Sequence, residues 1–252
     1  MTAQQLVNTG SSQGVASGSF SSAHWLSYFQ GNKTTKVDII NWPDKVVVPP
    51  ALGPSLVRSL QRFQIGESGN GTHLRKYATT TKDPTYEQCI DLFVREEQGH
   101  ARLLAQLIKS LEGTVLTRHW SELAFVALRR MLGLKTEVFV LLIAEIIGKC
   151  FYKACADRLQ NKTMKDVFSA IVMDEIFHLE FHCSFMNTQM LRYPAATRQL
   201  VFYAWTALFY AACLVFIADH QPALRALNVS PKAFLHDCSS TFYRAADRTL
   251  SL

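Results

Sequence analysis

Two short steps constrain this chain more than anything else in it: Glu96-Glu97-Gln98-Gly99-His100 and Asp174-Glu175-Ile176-Phe177-His178. On a helix, a carboxylate and an imidazole three residues apart sit about 60° apart around the axis and reach the same point. Two such pairs, with one further glutamate from each of two other helices, are a ligand set for two metal ions inside a four-helix bundle. The two further glutamates are present. Between Lys45 and Lys82 the only carboxylate is Glu67, and between Phe125 and Ala156 there are only Glu137 and Glu145. Glu137 opens an apolar run, where a helix-start acid is expected. Glu145 sits in the middle of that run, Val138 to Ile147, where a charge is costly unless it is paired or bound to a cation. Glu67, Glu97, Glu145 and Glu175 follow one another at intervals of 30, 48 and 30 residues. Equal outer intervals suit two antiparallel helical hairpins, and the longer middle one suits a crossover between them.

The remaining sequence is consistent with helices. It holds only 8 prolines and 12 glycines in 252 residues, which leaves long stretches free of both. At 48% hydrophobic residues, the chain can bury a large core. Net charge is +6, yet no basic run is longer than a pair such as Arg129-Arg130, so no nucleic-acid footprint is expected. The six cysteines are scattered singly, without Cys-x-x-Cys, and are expected to be reduced, buried thiols rather than a zinc ribbon or a rubredoxin-like site. The start of the chain has no basic-then-apolar signal segment, and a cytoplasmic location is the expectation, with peripheral membrane association as its variant.

Three regions follow from the order of these signals: a mobile or extended N-terminal segment (1–50), a metal-binding bundle (51–192) and a helical C-terminal extension (193–252). Residues 1–20 are rich in Ser, Gly, Gln and Thr and read as a mobile tail. A short helix over Ala23–Gln30 and an extended Lys33–Pro50 lying across the bundle come next. The first long helix starts near Pro54 and carries Leu56, Leu60, Phe63 and Glu67 on one face. Three glycines in Gly66–Gly71 loosen or end it, leaving either an access gate or a plain helix end there. The second runs from Pro84 to Leu111, the third from Glu137 to Leu159 and the fourth from Met164 to Leu191. A crossover over Thr114–Thr136 carries a short helix, Ser121–Leu132. Beyond the bundle, 200–218 lacks any charge, and Ala204, Ala207 and Ala211 form a small-residue stripe. A buried helix or a homodimer interface is the preferred expectation for it, with membrane contact as the alternative. A last helix spans Pro231–Leu250.

Carboxylate and imidazole ligands suit Fe(II) and Mn(II). Glu97 with His100, and Glu175 with His178, would each hold one ion. Glu67 and Glu145 would serve as terminal or bridging ligands, and four carboxylates cancel the charge of two divalent cations. Glu96 and Asp174 each precede a ligand, and would accept the outer N–H of the histidine on the opposite helix. His182, seven residues after Glu175, returns to nearly the same face about 10 Å along. It stands as a further ligand, a proton-transfer group or a core histidine. Tyr152, seven residues after Glu145, points to the same core as a packed or redox-active tyrosine.

Taken in order, Glu67, Glu97-x-x-His100, Glu145 and Glu175-x-x-His178 resemble the pattern of the ferritin-like superfamily of di-iron and di-manganese carboxylate proteins. The likeness covers Pro54–Leu191. The Asp174-Glu175-x-x-His178 form is similar to that of O2-activating oxygenases and ribonucleotide reductase small subunits. The spacing within each hairpin also resembles that of aldehyde-deformylating oxygenases. The resemblance implies an all-α, ferritin-like four-helix bundle with a long crossover between its second and third helices. It also implies two metal ions, iron first and manganese second, that react with O2.

Three functions then compete. The first is an oxygenase or oxidase acting on a small hydrophobic organic substrate, with Glu97, Glu175, Tyr152 and His182 as catalytic candidates. An external electron donor, a reductase or ferredoxin, would serve it. The second is a ferroxidase or peroxide scavenger like ferritins and rubrerythrins, against which stand the long additions flanking the bundle. The third is a non-catalytic helical or membrane-associated protein, which requires the spacing of the four glutamates to be accidental.

Overall fold

A computed structural model describes residues 20–32, 40–42, 46–117 and 134–252. The tail before residue 20, parts of the extended segment, and the expected helix Ser121–Leu132 with the rest of the crossover's centre lie outside the described residues. Among the described residues every regular element is helical and none is a strand. These are α1 (Ser22–Gly31), α2 (Gly53–Glu67), α3 (Thr72–Ala78) followed by the 3-10 turn Thr79–Thr81, α4 (Pro84–Ser110), α5 (Leu134–Arg158), α6 (Lys162–Met190), α7 (Ala195–Ala226) and α8 (Pro231–Leu250).

The helices start where local chemistry satisfies their free N–H groups. The Asp83 carboxylate accepts from the backbone of Thr85 and Tyr86 at the head of α4, with Pro84 in the first turn. Asn161 caps α6 by accepting from Met164, and Ser230 caps α8 by accepting from Ala233. The glycine run behaves as a helix end. α2 stops at Glu67, Ser68 closes it, and Gly71 turns the chain with φ +64°. A Cβ at Gly71 would come within 2.5 Å of Val94 Cγ2, so glycine alone fits both the backbone angle and the space. α3, which follows at once, is not foreseen in the sequence. α5 begins at Leu134, earlier than the expected Glu137, and that acid lies buried in its first turn.

Packing pairs α5 with α6 and α2 with α4, while α4 meets α6 across the core. α8 lies on α6 and α5, and α1 lies on α4. α5 is covered almost all round: Val138, Leu142, Ile146, Phe151, Tyr152 and Cys155 are fully buried. Phe63 of α2 stacks on Phe151 with ring centres 5.0 Å apart. The described part of the extended segment crosses the bundle. The Asn41 carbonyl accepts from Thr163 Oγ1 at 3.2 Å, and the Val46 N–H donates to the Ser110 carbonyl at 3.2 Å. All six cysteines are buried and free.

α7 differs from its expectation. It extends well past 200–218 at both ends and is not a buried helix. Trp205, Phe209 and Cys213 face inward, and Trp205 Nε1 donates to the Phe139 carbonyl at 3.0 Å. Leu200 (69% exposed), Tyr203, Leu214 and Val215 face outward. Among the described residues α7 is the one helix long and apolar enough to cross a membrane, with 17% of its most apolar window buried in the protein.

Candidate metal centre

Helical spacing assembles the site. α4 delivers Glu97 and His100 to its inner face and α6 delivers Glu175 and His178 to the facing side. One ligand atom from each of these four lies within 4.8 Å of the others. His178 Nδ1 is 3.1 Å from Glu97 Oε1 and 3.6 Å from Glu175 Oε2. His100 Nδ1 is 3.3 Å from Glu175 Oε1 and 3.6 Å from Glu97 Oε1. Each imidazole therefore meets both carboxylates, its own helix's and its neighbour's. From α5, Glu145 Oε2 comes to 3.8 Å from His178 Nδ1 and is itself buried. Glu67, on the last turn of α2, closes the fourth side and is only partly buried. Its Oε1 accepts from the Tyr152 hydroxyl at 2.7 Å.

Outside this group, the acids preceding Glu97 and Glu175 each reach across to the other helix. Asp174 Oδ2 lies 3.0 Å from His100 Nε2, and Glu96 Oε2 lies 2.9 Å from His178 Nε2. A carboxylate can only accept, so in both rings Nε2 carries the hydrogen and Nδ1 faces the inner acids.

The proton affinities record how crowded the group is with negative charge. Burial, then the charges of Glu97 and Glu175, pushes Glu67 well above the usual carboxylate range. Burial, then Glu175, does the same to Glu145, and burial with Glu145 and Glu175 raises Glu97. Burial alone would lower both histidines. The carboxylates of Asp174 and Glu175 beside it carry His100 well above its ordinary value, and those of Glu145, Glu175 and Glu96 do so for His178. Glu175 is the exception. Burial pulls it up, but Glu145, His100 and His178 close beside it outweigh that and hold it low. With no cation bound, protons on the imidazoles stand in for positive charge, and loading with metal would release them.

No family model, no curated protein and no solved structure matches this chain.

The geometry of the site fits cations. Glu97 Oε1, His100 Nδ1, Glu145 Oε2, Glu175 Oε2 and His178 Nδ1 are buried without a hydrogen-bond partner, although buried polar atoms ordinarily have one. The five belong to one group. Ligands bonded at about 2.1 Å to one ion stand about 3.0–3.4 Å apart, near the shorter separations observed here. Two Glu and two His in a buried cluster form a site able to bind a metal pair, with Glu145 and Glu67 beside it.

His182 is placed apart from this cluster. It is fully buried between the rings of Phe93 (4.7 Å) and Phe181 (4.8 Å), and neither ring nitrogen has a partner. Burial, then the charge of His178, lowers its pKa to about 3, so it is neutral. Tyr152 is fully buried against Phe63 and Phe168, and burial followed by Glu67 keeps its hydroxyl protonated. Sequence reasoning missed Asn32. It follows α1 and donates from Nδ2 to Glu96 Oε1 at 2.8 Å and to Asp174 Oδ1 at 3.1 Å. The rings of Phe93, which shares a helical face with Glu97 and His100, and of Phe29 wall His178 at 4.8 and 6.4 Å. Nothing local in the sequence marks Asn32.

Proposed function

We propose that this chain is a non-haem dinuclear metal oxidoreductase, built on a ferritin-like bundle of α2, α4, α5 and α6, that uses O2 to oxidise or oxygenate a small hydrophobic substrate. The observation carrying this reading is the convergence of five partnerless buried donor atoms from three helices. Glu97, His100, Glu175 and His178 would hold the ions, with Glu145 and Glu67 completing the set. This mixed oxygen and nitrogen set suits iron and manganese almost equally, and the resemblance to di-iron carboxylate proteins puts iron first. When bound, a reduced metal pair of this kind supplies the electrons that O2 must receive, and an external donor, a reductase or ferredoxin, would replace them.

The chain's own residues do the rest. Glu96 and Asp174 hold the two imidazoles by their Nε2 hydrogens, so that Nδ1 stays directed inward. Tyr152 keeps its proton and holds Glu67 by hydrogen bonding. Phe29, Phe93 and the neutral His182 make the side next to His178 apolar, which keeps water from it and suits a hydrophobic substrate.

A ferroxidase or peroxide-scavenging role is the second reading. One observation favours it: Glu67 is partly accessible at the open Gly66–Gly71 turn, where ions could enter. The test is anaerobic loading with Fe(II), then O2, in the presence of a panel of small apolar compounds. Consumption of O2 with an oxidised product supports the proposal. Consumption of O2 with only ferric iron formed favours a ferroxidase. No consumption by the metal-loaded protein contradicts the proposal, and oxidation of the Fe(II) by added hydrogen peroxide then favours the peroxide-scavenging form of the second reading.

A further inference from the structure

One neutral amide joins the two halves of the candidate centre. Glu96 uses Oε2 on His178 Nε2 and Oε1 on Asn32 Nδ2. Asp174 uses Oδ2 on His100 Nε2 and Oδ1 on the same Asn32 nitrogen. The result is one chain of contacts, His178–Glu96–Asn32–Asp174–His100, in which no link exceeds 3.1 Å. A side-chain amide nitrogen carries two hydrogens, and here both are used. Without that donor, two carboxylates would share a partly buried space and repel each other, free to turn away from the imidazoles they orient.

The amide arrives on an element anchored independently of the centre. α1 buries Trp25 and Phe29, whose rings meet Phe181 at 5.5 and 5.2 Å, and Tyr28 lies 4.5 Å from Phe177. Ser22 Oγ donates to Asp83 at the head of α4. The short helix thus brings a donor to a fixed place over the junction of α4 and α6.

We infer that Asn32 is a positioning residue for the metal pair: it sets Glu96 and Asp174 so that both histidines present Nδ1 to the same point, and it thereby couples the docking of α1 to metal occupancy. This rests on the metal reading above. The coupling runs both ways, since whatever fixes the imidazoles also fixes the carboxylates and the amide they hold.

The experiment uses the full chain and Mn(II) under anaerobic conditions. Calorimetric titration gives affinity and stoichiometry for wild type, Asn32→Ala and Asn32→Asp. Hydrogen exchange of the Ser22–Gly31 amides is measured with and without Mn(II). Asn32→Asp keeps the shape of the side chain and loses both hydrogens, so it separates donation from packing. Loss of an outer partner typically weakens a metal site about 10- to 100-fold, and that loss is expected in both variants. Protection of α1 is expected to rise on loading in wild type and to stay unchanged in the variants. If wild type binds no metal, the metal reading itself fails. If wild type binds two ions and both variants match it within about twofold, or wild-type α1 gains no protection on loading, the Asn32 assignment alone is overturned. The protection measurement needs only wild type, so it decides even if a variant does not fold.

Discussion

α5 and α7 carry the same kind of sequence and lie in opposite surroundings. Each is a long apolar helix, and α7 is the one whose composition would suit a membrane. Yet α5 is enclosed by the bundle, while α7 leaves Leu200, Tyr203, Leu214 and Val215 open to solvent. The difference is foreshadowed by the single charge in the apolar run Val138–Ile147 of α5. Glu145 is 5% exposed and faces Glu97, Glu175 and His178, so its placement makes sense only beside charges from other helices. α7 has no such residue in 200–218 and hence nothing that ties its position to the centre. An apolar run says little about where a helix goes, whereas a charge in its middle says a great deal.

The largest expected effect separating these regions is that of metal itself. Ions bound at about a thousand times their dissociation constants add about 4 kcal/mol each, or a rise in Tm of roughly 10 °C or more for two ions in a chain of this size. Calorimetry with Mn(II) and then with chelator measures it, and substitutions on the outer side of α7 should leave the shift intact. Next comes the inner side of α7. Phe209→Ala should cost about 3–5 kcal/mol in denaturant unfolding, because Phe209 is fully buried and stacked on Phe242 at 4.2 Å. A small loss would mean that α7 is loosely held on both sides.

A smaller effect concerns pH. In the metal-free protein Glu67, Glu97, Glu145, His100 and His178 all hold protons more tightly than they would unfolded. Folding therefore takes up protons, and metal-free stability should fall as pH rises above the ordinary carboxylate value of 4.5 and on past the ordinary imidazole value of 6.5. Glu175, held low, contributes stability that is lost only as pH falls below 4.5. Melting curves of chelated protein from pH 5 to 9 measure the slope. Glu145→Gln should flatten it and also abolish the metal-dependent shift. A metal-free Tm that rises across this range would contradict the crowded-acid account. The smallest effect belongs to the outer side of α7. Leu214→Lys should change unfolding free energy by no more than about 0.5 kcal/mol, since the residue is mostly exposed. Sedimentation velocity of that variant beside wild type, with and without lipid vesicles, reads whether this side meets a second copy or a bilayer.

The convergence of the candidate ligands was legible because helical periodicity converts intervals along the chain into faces in space. Glu97, His100, Glu175 and His178 needed nothing more to converge, and neither did the crossed partners Glu96 and Asp174. The all-helical class followed from the same signals. Asn32 was not legible, because its partners lie 64 and 142 residues away and are reached only through the docking of α1. The exposure of α7 was hidden because composition does not reveal which side of a helix its neighbours cover. α3 escaped notice because seven residues give too few turns for an apolar period, and the left-handed Gly71 before it reads equally well as an open loop.

Crystals of the full chain loaded anaerobically with Fe(II), with diffraction measured on both sides of the iron absorption edge, test the central claim most directly. Two anomalous peaks are expected between Glu97 and Glu175, one beside His100 Nδ1 and the other beside His178 Nδ1. A single peak, or none among these side chains, would contradict a dinuclear centre.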